Sequence, residues 1–184
     1  MNIAVYCSSS NEIDPEFKAM AFGLGEWIAE EGHSLVFGGA TGGLMDAVSE
    51  GAKSKNGHVI GVVPLAIINI GRKSSMCNDL IEVETISRRK DKMRELSDVF
   101  IVLPGGYGTL DEMFDVVTSA MIGEHEKPLI MINFNGFFNF LKMQIDKMKS
   151  EKCIGSHQKY EPWFAANVED CIGIINNIHQ LKKD

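Results

Sequence analysis

The stretch that most limits what this chain can become is Pro104-Gly105-Gly106-Tyr107-Gly108-Thr109-Leu110-Asp111-Glu112. The apolar run Val99-Phe100-Ile101-Val102-Leu103 leads into it, and an amphipathic stretch from Met113 to Ile122 leads out. A buried strand, a glycine-rich turn and a helix are expected in that order. Such a junction aims backbone N–H groups and the positive end of a helix at one point, where an anion such as phosphate can sit. Glycine lets the backbone come close to a ligand and adopt positive φ. Glu112 adds a carboxylate beside that seat. Thr109-x-x-Glu112 is equally the pattern of a capping box, in which both side chains satisfy helix-end N–H groups. The spacing fits both uses of Glu112.

The same alternation runs through the chain. Asn2 to Tyr6 reads as a strand, followed by the polar turn Ser8-Ser9-Ser10-Asn11. Asp14-Pro15 reads as an N-cap with proline at the first helical position, and Phe17, Met20, Ala21, Leu24, Trp27 and Ile28 share one helical face. Ser34 to Phe37 is a strand, then Gly38-Gly39-Ala40-Thr41-Gly42-Gly43 opens a helix to about Lys55. Strands are expected at His58–Val63, Leu80–Ile86, Val99–Leu103, Pro128–Asn133 and Trp163–Ala166, with helices at Ser87–Ser97, from Thr109, around Phe137–Met148 and from Val168. Residues 64–79 read as a long functional loop with one short helix. Strands separated by helices define an α/β fold, a parallel sheet with helices on both faces. The 184 residues suit a single domain. Ligands of such sheets bind beyond the C-terminal strand ends, where both glycine loops and the Ser8–Ser10 turn are expected.

A net charge of −7 argues against general nucleic-acid binding. No apolar run is long enough to span a membrane. The first residues read as a strand rather than a signal peptide. Cys7, Cys77, Cys153 and Cys171 are scattered, which points to free thiols in a reducing compartment and so to a cytoplasmic location. His33, His58, His125, His157 and His179 lack metal-ligand spacing, so no metal is expected.

Neither glycine loop is a Walker A motif: Leu44 stands where lysine is required. Neither is a full dinucleotide fingerprint, since Asp111 holds the third glycine position after Gly106 and Gly108. A single phosphate fits better. The second unusual feature is Ser87-Arg88-Arg89-Lys90. With Ser87 as N-cap, three cations would sit at the positive end of a helix, an arrangement costing about 0.3–1 kcal/mol per exposed charge. A bound anion would repair it. A solvated basic patch beside Asp91 and Glu95 is the plainer account. Asp115, one turn beyond Glu112, either shares its face of the helix or is a solvated helix charge, the latter being favoured, and His125 reads as part of an exposed connection.

Together these residues resemble a family. Pro104 to Glu112 is similar to the Pro-Gly-Gly-x-Gly-Thr-x-x-Glu signature of the Lonely Guy (LOG) proteins, cytokinin-activating phosphoribohydrolases long mislabelled as lysine decarboxylases. Arg89-Lys90-Asp91-Lys92-Met93 resembles that family's Arg-Lys-x-x-Met segment. Gly38-Gly39, Gly43-Leu44-Met45 and Tyr6-Cys7 with Ser9-Ser10 resemble its first loop and first strand end. The resemblance implies a Rossmann-like fold, a homodimer with the site near its interface, and hydrolysis of the N-glycosidic bond of a nucleoside 5′-monophosphate. It implies Arg89 and Glu112 as catalytic residues. It further implies a substrate-binding set of Gly105, Gly106, Tyr107, Gly108, Thr109, Lys90, Gly39 and Ser9. No organic cofactor is implied, and no residue stands out as a pyridoxal-phosphate lysine. Ile86-Ser87 replace a frequent Met-His, Ser8 and Asp46 replace frequent glycines, and residues 64–79 lack the family's Pro-Arg-Glu stretch. The rival expectation is a non-catalytic carrier of nucleotide or molybdenum cofactor.

Overall fold

The computed structural model describes residues 1–181. The elements run β1 (Asn2–Tyr6), α1 (Pro15–Glu30), β2 (Ser34–Phe37), α2 (Gly43–Ser54), β3 (His58–Pro64), α3 (Leu65–Asn69) and β4 (Asp79–Val83). They continue with α4 (Ile86–Leu96), β5 (Val99–Val102), α5 (Tyr107–Met121), β6 (Leu129–Ile132), α6 (Asn139–Ser150), β7 (Trp163–Ala165) and α7 (Val168–Leu181). The strands form one seven-stranded sheet in the order β4-β3-β2-β1-β5-β6-β7. Every pairing is parallel. This is the expected single-domain, Rossmann-like α/β architecture.

Strand alternation sorts the core into two layers. Ile3 and Val5 face a cluster with Leu24 and Ile28 of α1, Leu44 and Val48 of α2, and Cys171 and Ile175 of α7. Ala4 and Tyr6 face the other side, where Met93 of α4, Met113 and Val116 of α5 and Phe138 pack. Burial on both faces explains why the inner strands read as nearly unbroken apolar runs. The order reverses between β1 and β5, each of which leads to its own side of the sheet. Their C-terminal ends define the topological switch point, where open α/β sheets bind ligands.

Asp14 caps α1 as expected, its side chain accepting from the Glu16 N–H at 2.9 Å with Pro15 at the first helical position. Several boundaries differ from expectation. The N-cap of α4 is Thr85, not Ser87: its hydroxyl accepts from the Arg88 N–H at 3.2 Å. β4 ends at Val83, leaving Thr85 extended and free to cap. The helix after the signature begins at Tyr107, two residues before Thr109. Phe137 lies ahead of α6, exposed, and Phe138 is the phenylalanine that enters the core. His125 is half-buried, its ring 5.8 Å from Phe100 and 6.0 Å from Tyr160, so its connection is not simply exposed.

Candidate functional site

The loops after β1 and β5 meet at the switch point, where the Ser8 N–H donates to the Pro104 carbonyl at 3.1 Å. The loop after β2 packs against the same turn: the Leu44 N–H donates to the Ser8 carbonyl at 2.9 Å. Arg72, from the segment after α3, donates to the carbonyls of Ser9 at 3.2 Å and Thr41 at 2.7 Å. The three loops are therefore one connected rim.

The two glycine loops differ in one decisive respect. In the first, the Thr41 N–H is taken by the Arg72 carbonyl at 2.8 Å. The Gly42 N–H is taken by the Asp46 carboxylate at 2.8 Å, and the Gly43 N–H by the Asn11 side chain at 2.9 Å. Its donors are occupied by the chain itself. In the second, Gly106 caps α5 without any side-chain hydrogen bond. No group among the described residues accepts from the N–H groups of Tyr107, Gly108 or Thr109. The first donors of a helix need external partners, and here they remain available to an anion.

The capping box does not form. Thr109 is the third residue of α5, and its side chain is buried against Gly105, where a glycine Cβ would otherwise lie. Glu112 is free of any capping duty. It is buried and pairs with Arg89, whose Nη2 donates to Glu112 Oε1; the side chains are only 8% and 3% exposed. A charge pair so deep is costly to desolvate. Arg89 also lies against the end of β2, with Nη1 3.1 Å from where a Cβ on Gly38 would stand. Its Nε is buried with no hydrogen-bond partner. Native structures rarely leave such a donor unpaired.

Burial draws the Arg89 pKa below its ordinary value, opposed by Tyr6, Asp111 and Cys7. Burial pushes the Tyr6 hydroxyl and the Cys7 thiol far up. Cys7 is thus held as a neutral thiol and is unsuited to act as a nucleophile.

The other expected residues fall as follows. Lys90 meets Asp111 at 2.9 Å and Asp115 at 3.4 Å. Burial would lower its pKa, but the Asp111 hydrogen bond and the Asp115 charge raise it overall. Asp115 is not a solvated charge: it pairs with Arg94 as well as Lys90. Tyr107 projects outward, 96% exposed. Gly39 has its carbonyl taken by the Ser74 N–H at 2.9 Å, and Ser9 receives Arg72. Arg94, Arg72 and Asn11 escaped sequence reasoning, because nothing in their local spacing signals what they touch.

What fold and site define is a class: Rossmann-like domains with an uncapped helix at the switch point and a buried arginine–carboxylate pair beside it. A family described as possible lysine decarboxylase matches residues 45–175. The cytokinin riboside 5′-monophosphate phosphoribohydrolase LOG7 of Arabidopsis thaliana is 37% identical over 149 residues, covering 81% of this chain and 69% of that protein. The probable cytokinin riboside 5′-monophosphate phosphoribohydrolase LOG4 of Oryza sativa subsp. japonica is 37% identical over 145 residues. That match covers 79% of this chain, which spans only 63% of the rice protein's length. The chain belongs to this family, the LOG proteins. Among solved structures, the molybdenum cofactor binding protein from Rippkaea orientalis matches with a TM-score of 0.74 at 28% identity over 96% of both chains. The Moco carrier protein from Chlamydomonas reinhardtii shares the fold, with a TM-score of 0.70 at 24% identity over 97% of both chains.

Proposed function

We propose that this protein is a phosphoribohydrolase that cleaves the N-glycosidic bond of a purine nucleoside 5′-monophosphate, AMP or an N6-modified AMP. The observation that carries this reading is the pairing of unclaimed N–H donors on α5 with the buried Arg89–Glu112 pair. The 5′-phosphate sits on the N–H groups of Gly106 to Thr109, and Lys90 adds positive charge nearby. Phosphate binding away from the reacting carbon then orients the ribose.

Departure of the base takes the electron pair of the C1′–N bond and leaves positive charge on the ribose ring. Glu112 stabilises that charge and directs a water oxygen onto C1′. The water's proton ends on the departing base, giving free base and ribose 5-phosphate. Arg89 holds Glu112 in place and offers its unpartnered Nε–H to the nucleotide.

The same reading places the protein in the cytoplasm as a homodimer. Tyr107 and Phe114 on α5, with Ile122 just past its end, are exposed and supply an apolar surface for a second copy. No helix among the described residues is long and apolar enough to cross a membrane.

The test is base release from AMP and N6-modified AMP by the purified protein, followed by chromatography, with Glu112→Gln alongside. Adenine and ribose 5-phosphate from the wild type are expected, with turnover down about 10²–10⁴-fold in the variant. Near-full activity of Glu112→Gln would remove Glu112 from the chemistry. A carrier of nucleotide or molybdenum cofactor is the second reading, favoured by the likeness to the Rippkaea orientalis protein. It requires tight binding with no base release.

A further inference from the structure

Besides the Arg89–Glu112 pair, three ion pairs among the described residues join α4 to α5. They are Lys90–Asp111 at 2.9 Å, Lys90–Asp115 at 3.4 Å and Arg94–Asp115. Asp115 is their centre. Its Oδ1 faces Lys90 and its Oδ2 faces Arg94, so both carboxylate oxygens are engaged by α4. Asp115 lies three residues beyond Glu112, on the same side of α5. Lys90 follows Arg89 directly, and Arg94 lies about one turn further on. The clamp and the buried pair thus occupy neighbouring turns of the same two helices.

The clamp is shielded. The side chains of Lys90, Arg94 and Asp115 are 16%, 20% and 24% exposed, so water and salt screen it less than a surface pair. Arg94 is anchored elsewhere too. It meets Asp91 at 3.1 Å and Glu124 at 3.7 Å, and its carbonyl accepts from Lys127 Nζ at 2.7 Å. Lys90 has no such anchor: its other partner, Asp111, is more than half exposed. Without Asp115, Lys90 keeps only Asp111 as its partner on α5.

We propose, resting on the reading of Arg89 and Glu112 as the acting pair, that Asp115 is a positioning residue. By drawing Lys90 and Arg94 onto α5, it sets how Arg89 meets Glu112.

The test uses Asp115→Asn, which keeps the size and removes the charge, and Asp115→Glu, which restores it. For base release from AMP, kcat in Asp115→Asn is expected to fall about tenfold while KM changes by less than about twofold, a coupling typical of residues in one ionic network. Asp115→Glu recovers most of the loss. A contact that merely holds the helices together would lower thermal stability and leave that split unchanged. The second readout needs no activity: the ¹⁵N resonance of the buried Arg89 Nε–H, which shifts in Asp115→Asn and returns in Asp115→Glu. Lys90→Gln and Arg94→Gln each remove one arm of the clamp and must move the same resonance, which keeps the test decisive if Asp115→Asn does not fold. A resonance that stays in place in the folded variants overturns the proposal, and so does a moved resonance with kcat unchanged. If the wild type releases no base yet the resonance moves as expected, the phosphoribohydrolase reading fails and the positioning role stands.

Discussion

A Cβ added to Gly105 would fall on the side chain of Thr109. The two residues share one space: the absent side chain of the first admits the second, and Thr109 is buried there. This contact fixes the turn that presents the first N–H groups of α5. Gly105→Ala must therefore displace Thr109 or the turn. Overpacking of this kind costs about 1–3 kcal/mol. The expected result is a lower unfolding midpoint together with weakened AMP binding by calorimetry. An alanine variant that binds AMP as the wild type does would separate Thr109 from the anion seat.

Gly108 gives the opposite test. It is the second residue of α5, and a Cβ there meets nothing within 4 Å. Alanine is favoured over glycine within helices by about 0.5–1 kcal/mol. Gly108→Ala is expected to raise the melting temperature modestly and to weaken phosphate-dependent binding, because it adds bulk to a residue whose own N–H is one of the free donors. A gain in stability with unaltered AMP affinity would place the phosphate elsewhere.

Removing one member of a buried ion pair leaves the other charged and unpaired, at a cost of about 3–5 kcal/mol. Arg89→Met is expected to destabilise the protein on that scale in urea denaturation. Adding Glu112→Gln to Arg89→Met should recover most of the loss, since no buried charge then remains. Additive losses in the double variant would show that the pair is not the source.

His125, whose ring lies against both Phe100 and Tyr160, supplies a pH dependence. His125 Nδ1 accepts from the Lys127 N–H at 3.2 Å. Burial, then the charges of Lys127 and Arg94, hold its pKa below the ordinary 6.5. The unfolded chain therefore takes up this proton more readily than the folded one, so stability rises with pH. The contribution is full above about 6.5 and is lost as pH falls below that value toward the folded pKa. Urea denaturation at several pH values should show a shallower decline for His125→Gln than for the wild type. Parallel declines would count against this account.

The sequence carried the architecture because burial on both faces of a parallel sheet leaves apolar runs that stand out against the helical periods between them. The motifs singled out Arg89 and Glu112, which the fold brings together as a buried ion pair, and the Asp14 cap was legible in its local spacing. Other features were hidden for a common reason: they depend on which surfaces meet. Thr109 and Glu112 have capping-box spacing, yet α5 starts early enough to leave Thr109 inside the helix. Asp115 looks solvated on an isolated helix and becomes shielded only when α4 lies across it. His125 sits in a connection whose burial is set by Phe100 and by Tyr160, which is far along the chain. The two glycine loops look alike in the sequence because the residues that distinguish them, Asn11 and Arg72, lie outside both.

One part of that distinction lies within the helices themselves. In α2 the fourth helical residue, Asp46, turns its carboxylate back onto the Gly42 N–H, so the helix carries its own anion. The corresponding place in α5 belongs to Leu110, which has no charge to offer. One helix start is a closed joint in the framework, and the other is a vacant socket. The two helix starts thus differ in their surroundings more than in their glycines: Asn11, Ser8 and Arg72 close the first, while nothing among the described residues accepts from the N–H groups of Tyr107, Gly108 or Thr109 in the second.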